Sequence, residues 1–209
     1  MKKILALLCM VTLSGVKASI GFSQEEKKQF IHKGLLRAQA TISPGILLKG
    51  SSTISIHGGL EYYVADNVSI RSDGYYFLKD DQNIFSLNQS IFSGASYHFK
   101  TKNHFDPYFS FAPGISITKR NSYSAFLECL VAPCPGQINF YDNTAINPLL
   151  SSVVGFNFYF ERWFHLFGEA RYITGKYISN TAPPLSLNEL RFSFGLGWNL
   201  SILKQKSPS

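Results

Sequence analysis

Charge is scarce in this chain, and so is cysteine. Only 16% of its 209 residues are Asp, Glu, Lys or Arg, against about 25% in an ordinary soluble domain, so a fully solvated globular surface is a poor fit. The formal charge of +7 falls by three once Lys2, Lys3 and Lys17 near the N-terminus are set aside. No cluster of Lys and Arg interleaved with aromatics is left, which discards nucleic-acid binding. The apolar run Ile4 to Val16 falls short of the ~20 residues that a membrane-spanning helix needs. A Gly-rich phosphate loop and a metal-spaced group of ligands are both missing, so neither cofactor nor metal is expected.

The short apolar run has another reading. Met1-Lys2-Lys3 followed by Ile4 to Val16 has the anatomy of a secretory signal peptide over residues 1–23, with cleavage expected after Ala18 or Ser23. Cys9 follows Leu8, where a lipoprotein signal would need a small residue, so lipid anchoring is not expected. Of the three cysteines, Cys129 and Cys134 remain after the leader. A Cys-x₄-Cys pair in an exported chain is expected to form a disulfide, with free thiols the alternative, because zinc would want two further ligands nearby. Residues 24–35, opened by the polar run Gln24 to Lys33, read as a poorly ordered lead-in.

What the chain has instead is aromatic residues, 15% of the total, and alternation. In Glu189 to Ile202 the even positions Leu190, Phe192, Phe194, Leu196, Trp198, Leu200 and Ile202 are apolar. The odd positions Arg191, Ser193, Gly195, Gly197, Asn199 and Ser201 are polar or lack a side chain. A period of two is a β-strand with one oily and one wet face. Gly, Ser, Asn and a lone Arg suit a packed, hydrated interior, and Phe, Leu and Trp suit lipid outside. A lipocalin-type barrel would reverse the arrangement.

Seven further segments alternate in the same way: Leu36–Leu48, Thr53–Val64, Val68–Leu78, Leu87–Phe99, Asp106–Thr118, Leu150–Phe160 and Phe164–Thr174. Each is a little longer than the ~9–11 residues of a tilted membrane strand. Pro44 weakens the first of them, since it offers no N–H to a ladder. The connections at Ala65–Asn67, Thr101–His104 and Glu161–Trp163 are short, while two of those between are longer, a pattern that marks an outer-membrane barrel. Tyr62, Tyr63, Tyr97, Phe99, Tyr108, Phe109, Phe160, Trp163, Phe164 and Trp198 gather beside the short turns and are expected to form an aromatic girdle.

The leader, the run of strands and the closing Ser193-x-Gly195-x-x-Trp198-x-Leu200 resemble the small outer-membrane barrel families of the OmpA transmembrane domain, OmpX and OmpW. The resemblance covers Leu36 to Ile202. It implies an all-β, eight-stranded antiparallel up-and-down transmembrane barrel over residues 36–202, followed by a tail at 203–209. It further implies the outer membrane of a Gram-negative cell, with both termini periplasmic and membrane lipid around the barrel. Ser193, Gly195, Trp198 and Leu200 are similar to the signal read by the barrel assembly machinery, with Leu200 where an aromatic is usual.

Parity puts Arg37, Glu61, Arg71, Asp73, Glu169, Arg171 and Arg191 on the inner face. An interior of eight strands is just wide enough to be filled by side chains, so these charges should pair or hold water. They form either an ion-pair plug or a gate whose pairs exchange partners. His57, His98 and His165 also point inward, and no carboxylate falls on the outer face, so a lipid-facing Ser-His-acid site is not expected. Lys119 to Asn147 is the longest irregular stretch, and Phe126, Leu127, Leu130 and Val131 give it apolar character. It is either a solvated loop stapled by its cysteines or a surface for a host, phage or partner protein. The expected function is that of a structural or porin-like outer-membrane protein without catalysis. The alternatives are a narrow channel for small or apolar solutes, an adhesin working through 119–147, and a lipid-modifying enzyme.

Overall fold

The computed structural model describes residues 31–48, 50–99, 101, 104–121, 124–125, 138–139, 144–178 and 185–201. Eight long strands run through them: β1 (Leu35–Leu47), β2 (Ser52–Ala65), β3 (Val68–Asp80), β4 (Phe85–His98), β5 (Phe105–Arg120), β6 (Thr144–Tyr159), β7 (Phe164–Tyr177) and β8 (Glu189–Ser201). Each pairs antiparallel with its chain neighbours, and β8 returns to pair with β1 from Leu35↔Ser201 to Leu47↔Glu189. The sheet therefore closes on itself, and the expected eight-stranded up-and-down barrel is the fold of the chain. Closure removes the open edges that would leave backbone N–H and C=O groups unpaired.

Alternation along each strand sorts the residues into two surfaces. Phe109, Phe111, Val154, Phe194 and Leu196 stand exposed on the outside, while Arg37, His57, Arg71, Arg171 and Asn157 are buried within. Of the aromatics expected in the girdle, Tyr62, Tyr97, Phe99, Phe109, Phe160, Trp163, Phe164 and Trp198 are exposed. Tyr63 and Tyr108 are not: they are 0% and 1% exposed and face the interior, as their position beside outward Tyr62 and Phe109 on a two-residue period requires.

Several boundaries differ from expectation. β6 begins at Thr144 rather than Leu150, because its ladder with β5 continues to Lys119↔Thr144. Pro148 sits one residue past the last rung to β7, Leu149↔Gly175, at an edge where proline is tolerated. A two-residue ladder, 124–125 with 138–139, also lies inside the stretch expected to be irregular. At Pro44 the β1–β8 rungs lapse between Ala40↔Leu196 and Gly45↔Arg191. The hydroxyls of Thr41 and Ser43 bridge that gap by donating to the carbonyls of Phe194 at 2.6 Å and Phe192 at 2.9 Å. A register shift at Ile54/Ser55 turns Asp80 inward, out of step with Leu78. Its carboxylate accepts from the N–H groups of Ile84 at 2.8 Å and Phe85 at 3.0 Å.

The termini of the barrel and the turns at 66–67, 99–104 and 160–163 share one end, called here the near rim, and the connections at 48–51, 81–84, 121–143 and 178–188 share the far rim. The leader with both cleavage positions, Cys129, Cys134, most of the 119–147 stretch and the tail at 203–209 lie outside the described residues.

Candidate functional site

The lumen is filled in tiers. Nearest the termini, Arg37 on β1 meets Glu61 on β2 at 3.0 Å and reaches across to Asp106 on β5 at 3.4 Å. Its guanidinium also touches the Tyr159 hydroxyl and lies 5.0 Å from the centre of the Tyr63 ring. His98 sits between the two carboxylates, with Nε2 2.9 Å from Glu61 and Nδ1 2.9 Å from Asp106. That arrangement is satisfied when both ring nitrogens carry a proton. Asn157 donates to Asp106 at 2.9 Å.

The middle tier joins opposite walls. Arg71 Nη2 on β3 lies 2.5 Å from Glu169 Oε2 on β7, and Arg171 on β7 pairs back with Asp73 on β3. Within β3, Arg71 Nε is 2.9 Å from Asp73. Tyr108 accepts from Arg71 Nη1 at 2.6 Å and donates to Glu169 at 2.9 Å. His57 lies 3.0 Å from Asp73 and stacks on Tyr75 at 4.5 Å. Gln39 links the tiers, accepting from Arg71 at 3.4 Å and donating to Asn157 at 3.3 Å.

Toward the far rim, Arg191 on β8 pairs with Glu189 at 2.8 Å, donates to Ser90 on β4 at 2.9 Å and stacks 4.5 Å above Tyr75. Beyond it Leu47, Phe77, Phe85, Leu149, Ile173, Tyr177 and Leu187 belong to one buried apolar cluster, and toward the same rim buried Asn88, Thr118, Ser116 and Asn147 form a hydrogen-bonded chain. All seven charged residues singled out by parity are thus buried and paired. Asp106, Glu189 and the inward His98 complete their network; the parity of Tyr108 and Arg191 points to Asp106 and Glu189. The apolar layer had no comparable signal, since its buried Phe and Leu are scattered over β1, β3, β4, β6 and the 187 position without a shared spacing.

Within the near tier Ser69 Oγ is 3.1 Å from His98 Nε2, and His98 Nδ1 is 2.9 Å from Asp106. This has the connectivity of a Ser-His-acid triad. The hydroxyl, however, donates to Glu61 at 2.5 Å, and Ser69 is 0% exposed. Glu61 also lies against His98 Nε2, where a reacting group would have to stand. His165 is buried too, 3.2 Å from Gln39.

The positions expected to carry the assembly signal divide between the two surfaces. Ser193 faces inward and donates to Ser43 at 3.0 Å. At Gly195 a Cβ would stand 3.0 Å from Thr41. Trp198 and Leu200 are exposed, with the indole edge-on to Phe164 at 6.2 Å.

Two grooves mark the outer wall where ladders end early. One, of about 400 Å³, lies where the β3–β4 ladder stops at Tyr75↔Ser90, and its lining includes Ile56, Tyr76, Ile91 and Ile117. The other, of about 390 Å³, lies between the far ends of β6 and β7.

An antiparallel barrel of eight strands with an apolar exterior and a charged, packed lumen is the architecture that small outer-membrane barrels have. Solved barrels of that kind share this chain's fold. OprG of Pseudomonas aeruginosa superposes with a TM-score of 0.56 at 10% identity, covering 82% of this chain and 98% of its own. Neisserial surface protein A gives 0.51 at 15% identity, with 80% and 96% covered. The N-terminal barrel of Pseudomonas aeruginosa OprF gives 0.50 at 14%, with 80% and 98% covered. No family model and no curated protein matches the chain.

Proposed function

We propose that this chain is a structural protein of the Gram-negative outer membrane, with both termini periplasmic, a lumen closed to ions and solutes, and no catalytic activity. The observation that supports closure best is the reciprocal pairing of Arg71 with Glu169 and Asp73 with Arg171 between β3 and β7. These strands lie on opposite sides of an eight-stranded ring, so the side chains fill the bore at its middle. The apolar cluster above them supports a second seal. The membrane assignment rests on the exterior, where Phe, Leu, Ile and Val occupy the positions that a water-soluble barrel gives to polar residues.

The test of closure is swelling of liposomes that hold the purified barrel. Swelling in arabinose or glycine no faster than in protein-free liposomes is expected, and faster swelling would contradict closure. A second reading, a narrow path for small apolar solutes, is favoured by the groove at Tyr75 and Ser90. There Gly58 and Gly74 thin the wall beside the apolar cluster. Uptake of a hydrophobic dye that rises in Tyr75→Ala would favour it.

A further inference from the structure

Three histidines point into the lumen, and they are held differently. His57 has one ring nitrogen 3.0 Å from Asp73, while the other stands 3.8 Å from Glu169. His165 meets the side-chain amide of Gln39 at 3.2 Å. Of the three, His98 alone has a carboxylate within hydrogen-bond distance of both ring nitrogens: Glu61 2.9 Å from Nε2 and Asp106 2.9 Å from Nδ1. The hydroxyls of Ser69 and Tyr63 lie 3.1 and 3.2 Å from the same two nitrogens, and the Tyr108 ring lies alongside at 5.4 Å.

Charge in the near tier balances when that ring is charged. Arg37 from β1 contacts both carboxylates, at 3.0 Å from Glu61 and 3.4 Å from Asp106, while Arg71 on β3 is engaged by Asp73 and Glu169. Tyr159 on β6 donates to Asp106 at 3.2 Å and brings no charge. Two buried anions therefore face one guanidinium and one imidazole. A neutral imidazole keeps one N–H, so in either tautomer the other nitrogen's lone pair would point at a carboxylate. Two buried carboxylates sharing a single cation repel each other, and one must move or take up a proton. The middle tier has no such dependence, since Arg71 and Arg171 match Glu169 and Asp73 without His57.

We propose that His98 is a proton-operated latch on the near end of the plug. With both ring nitrogens protonated it clamps Glu61 on β2 to Asp106 on β5. Loss of one ring proton to solvent opens that clamp, while the Arg71–Glu169 and Arg171–Asp73 pairs hold. The latch lies at the rim: His98 is the last residue of β4, level with the exposed rings of Tyr97 and Phe99. The near end of the packing thus loosens as pH rises, and the middle does not. This holds whether or not the lumen conducts, because it concerns the cohesion of one tier.

The test is urea unfolding in lipid vesicles across neutral to alkaline pH, compared in wild type, His98→Gln and His57→Gln. An unfolded histidine holds its second proton only below pH ~6.5, whereas the latched ring holds both. Folding above that pH takes up one proton, so stability that is full at lower pH is lost as pH rises, by up to about tenfold per pH unit in the unfolding equilibrium. Wild type should show this slope in excess of His98→Gln, and His57→Gln should keep it. Equal slopes in wild type and His98→Gln would overturn the latch. Ring-nitrogen NMR of the wild-type barrel in detergent micelles gives a second readout that needs no variant. At about pH 8, where a free histidine is neutral, His98 should show two protonated nitrogens. One bare nitrogen would overturn the proposal, whatever the unfolding result.

Discussion

Arg71 and Glu169 meet at 2.5 Å although 98 residues separate them in the chain. The contact crosses the barrel from β3 to β7, so neither side chain can be replaced by a neighbour on its own wall. Burying these charges is costly, and a buried pair is weak evidence for stability in itself. Its consequence is geometric: the lumen at mid-height holds guanidinium, carboxylate and the Tyr108 ring.

Removing one partner leaves the other charged and buried. Glu169→Ala is expected to lower the unfolding free energy in lipid vesicles by about 3–5 kcal/mol. Replacing Arg71, Asp73, Glu169 and Arg171 together with apolar residues of similar volume should cost less than that. Urea titration followed by tryptophan fluorescence checks both. A quadruple variant less stable than Glu169→Ala would show that the quartet itself stabilises the fold.

The outer face makes a depth-dependent prediction. Phe194 lies near the middle of β8's outward row, and Phe164 opens β7 at the near rim. Phe194→Arg should cost about 2–4 kcal/mol and Phe164→Arg about 0–1 kcal/mol in a bilayer. Equal costs in the same titration would deny that these rows cross hydrocarbon.

Gly155 is the bed for the Tyr108 ring. A Cβ there would stand 2.6 Å from Tyr108 Cζ and 2.9 Å from the Gly168 carbonyl, so Gly155→Val must displace the ring from Arg71 and Glu169. A loss of about 1–3 kcal/mol is expected, whereas Gly58→Ala, where a Cβ meets nothing within 4 Å, should fold as wild type does. Thermal melting of the two variants side by side is the check.

Ser69, His98 and Asp106 have triad connectivity without a place for substrate. A serine-directed fluorophosphonate should leave Ser69 unmodified, and lipid A and phospholipids should show no turnover. Labelling that vanishes in Ser69→Ala would reverse the non-catalytic reading.

Much of this was legible in the sequence because a barrel wall writes its two sides into alternate residues. Once Arg71 and Asp73 are set inward, the period of two carries Tyr75 inward as well, and Arg191 brings Glu189 with it. Partner choice was not legible, since Arg71 could face any of several carboxylates until strand register and tilt are known. Asp80 escaped because a bulge shifts its parity, and the groove between the far ends of β6 and β7 escaped because it arises from a ladder that ends early. Thr144 to Leu149 keep the alternation, yet Asn147 and Pro148 read as turn residues, and only the ladder with β5 shows that they continue a strand.

Single-channel recording in planar bilayers addresses the closed lumen most directly. The wild-type barrel, inserted from detergent at neutral pH, is expected to give no reproducible current steps over the applied voltages. Steps of constant amplitude that scale with salt would mean that a continuous water path passes Arg71 and Glu169, and the closed lumen would be contradicted.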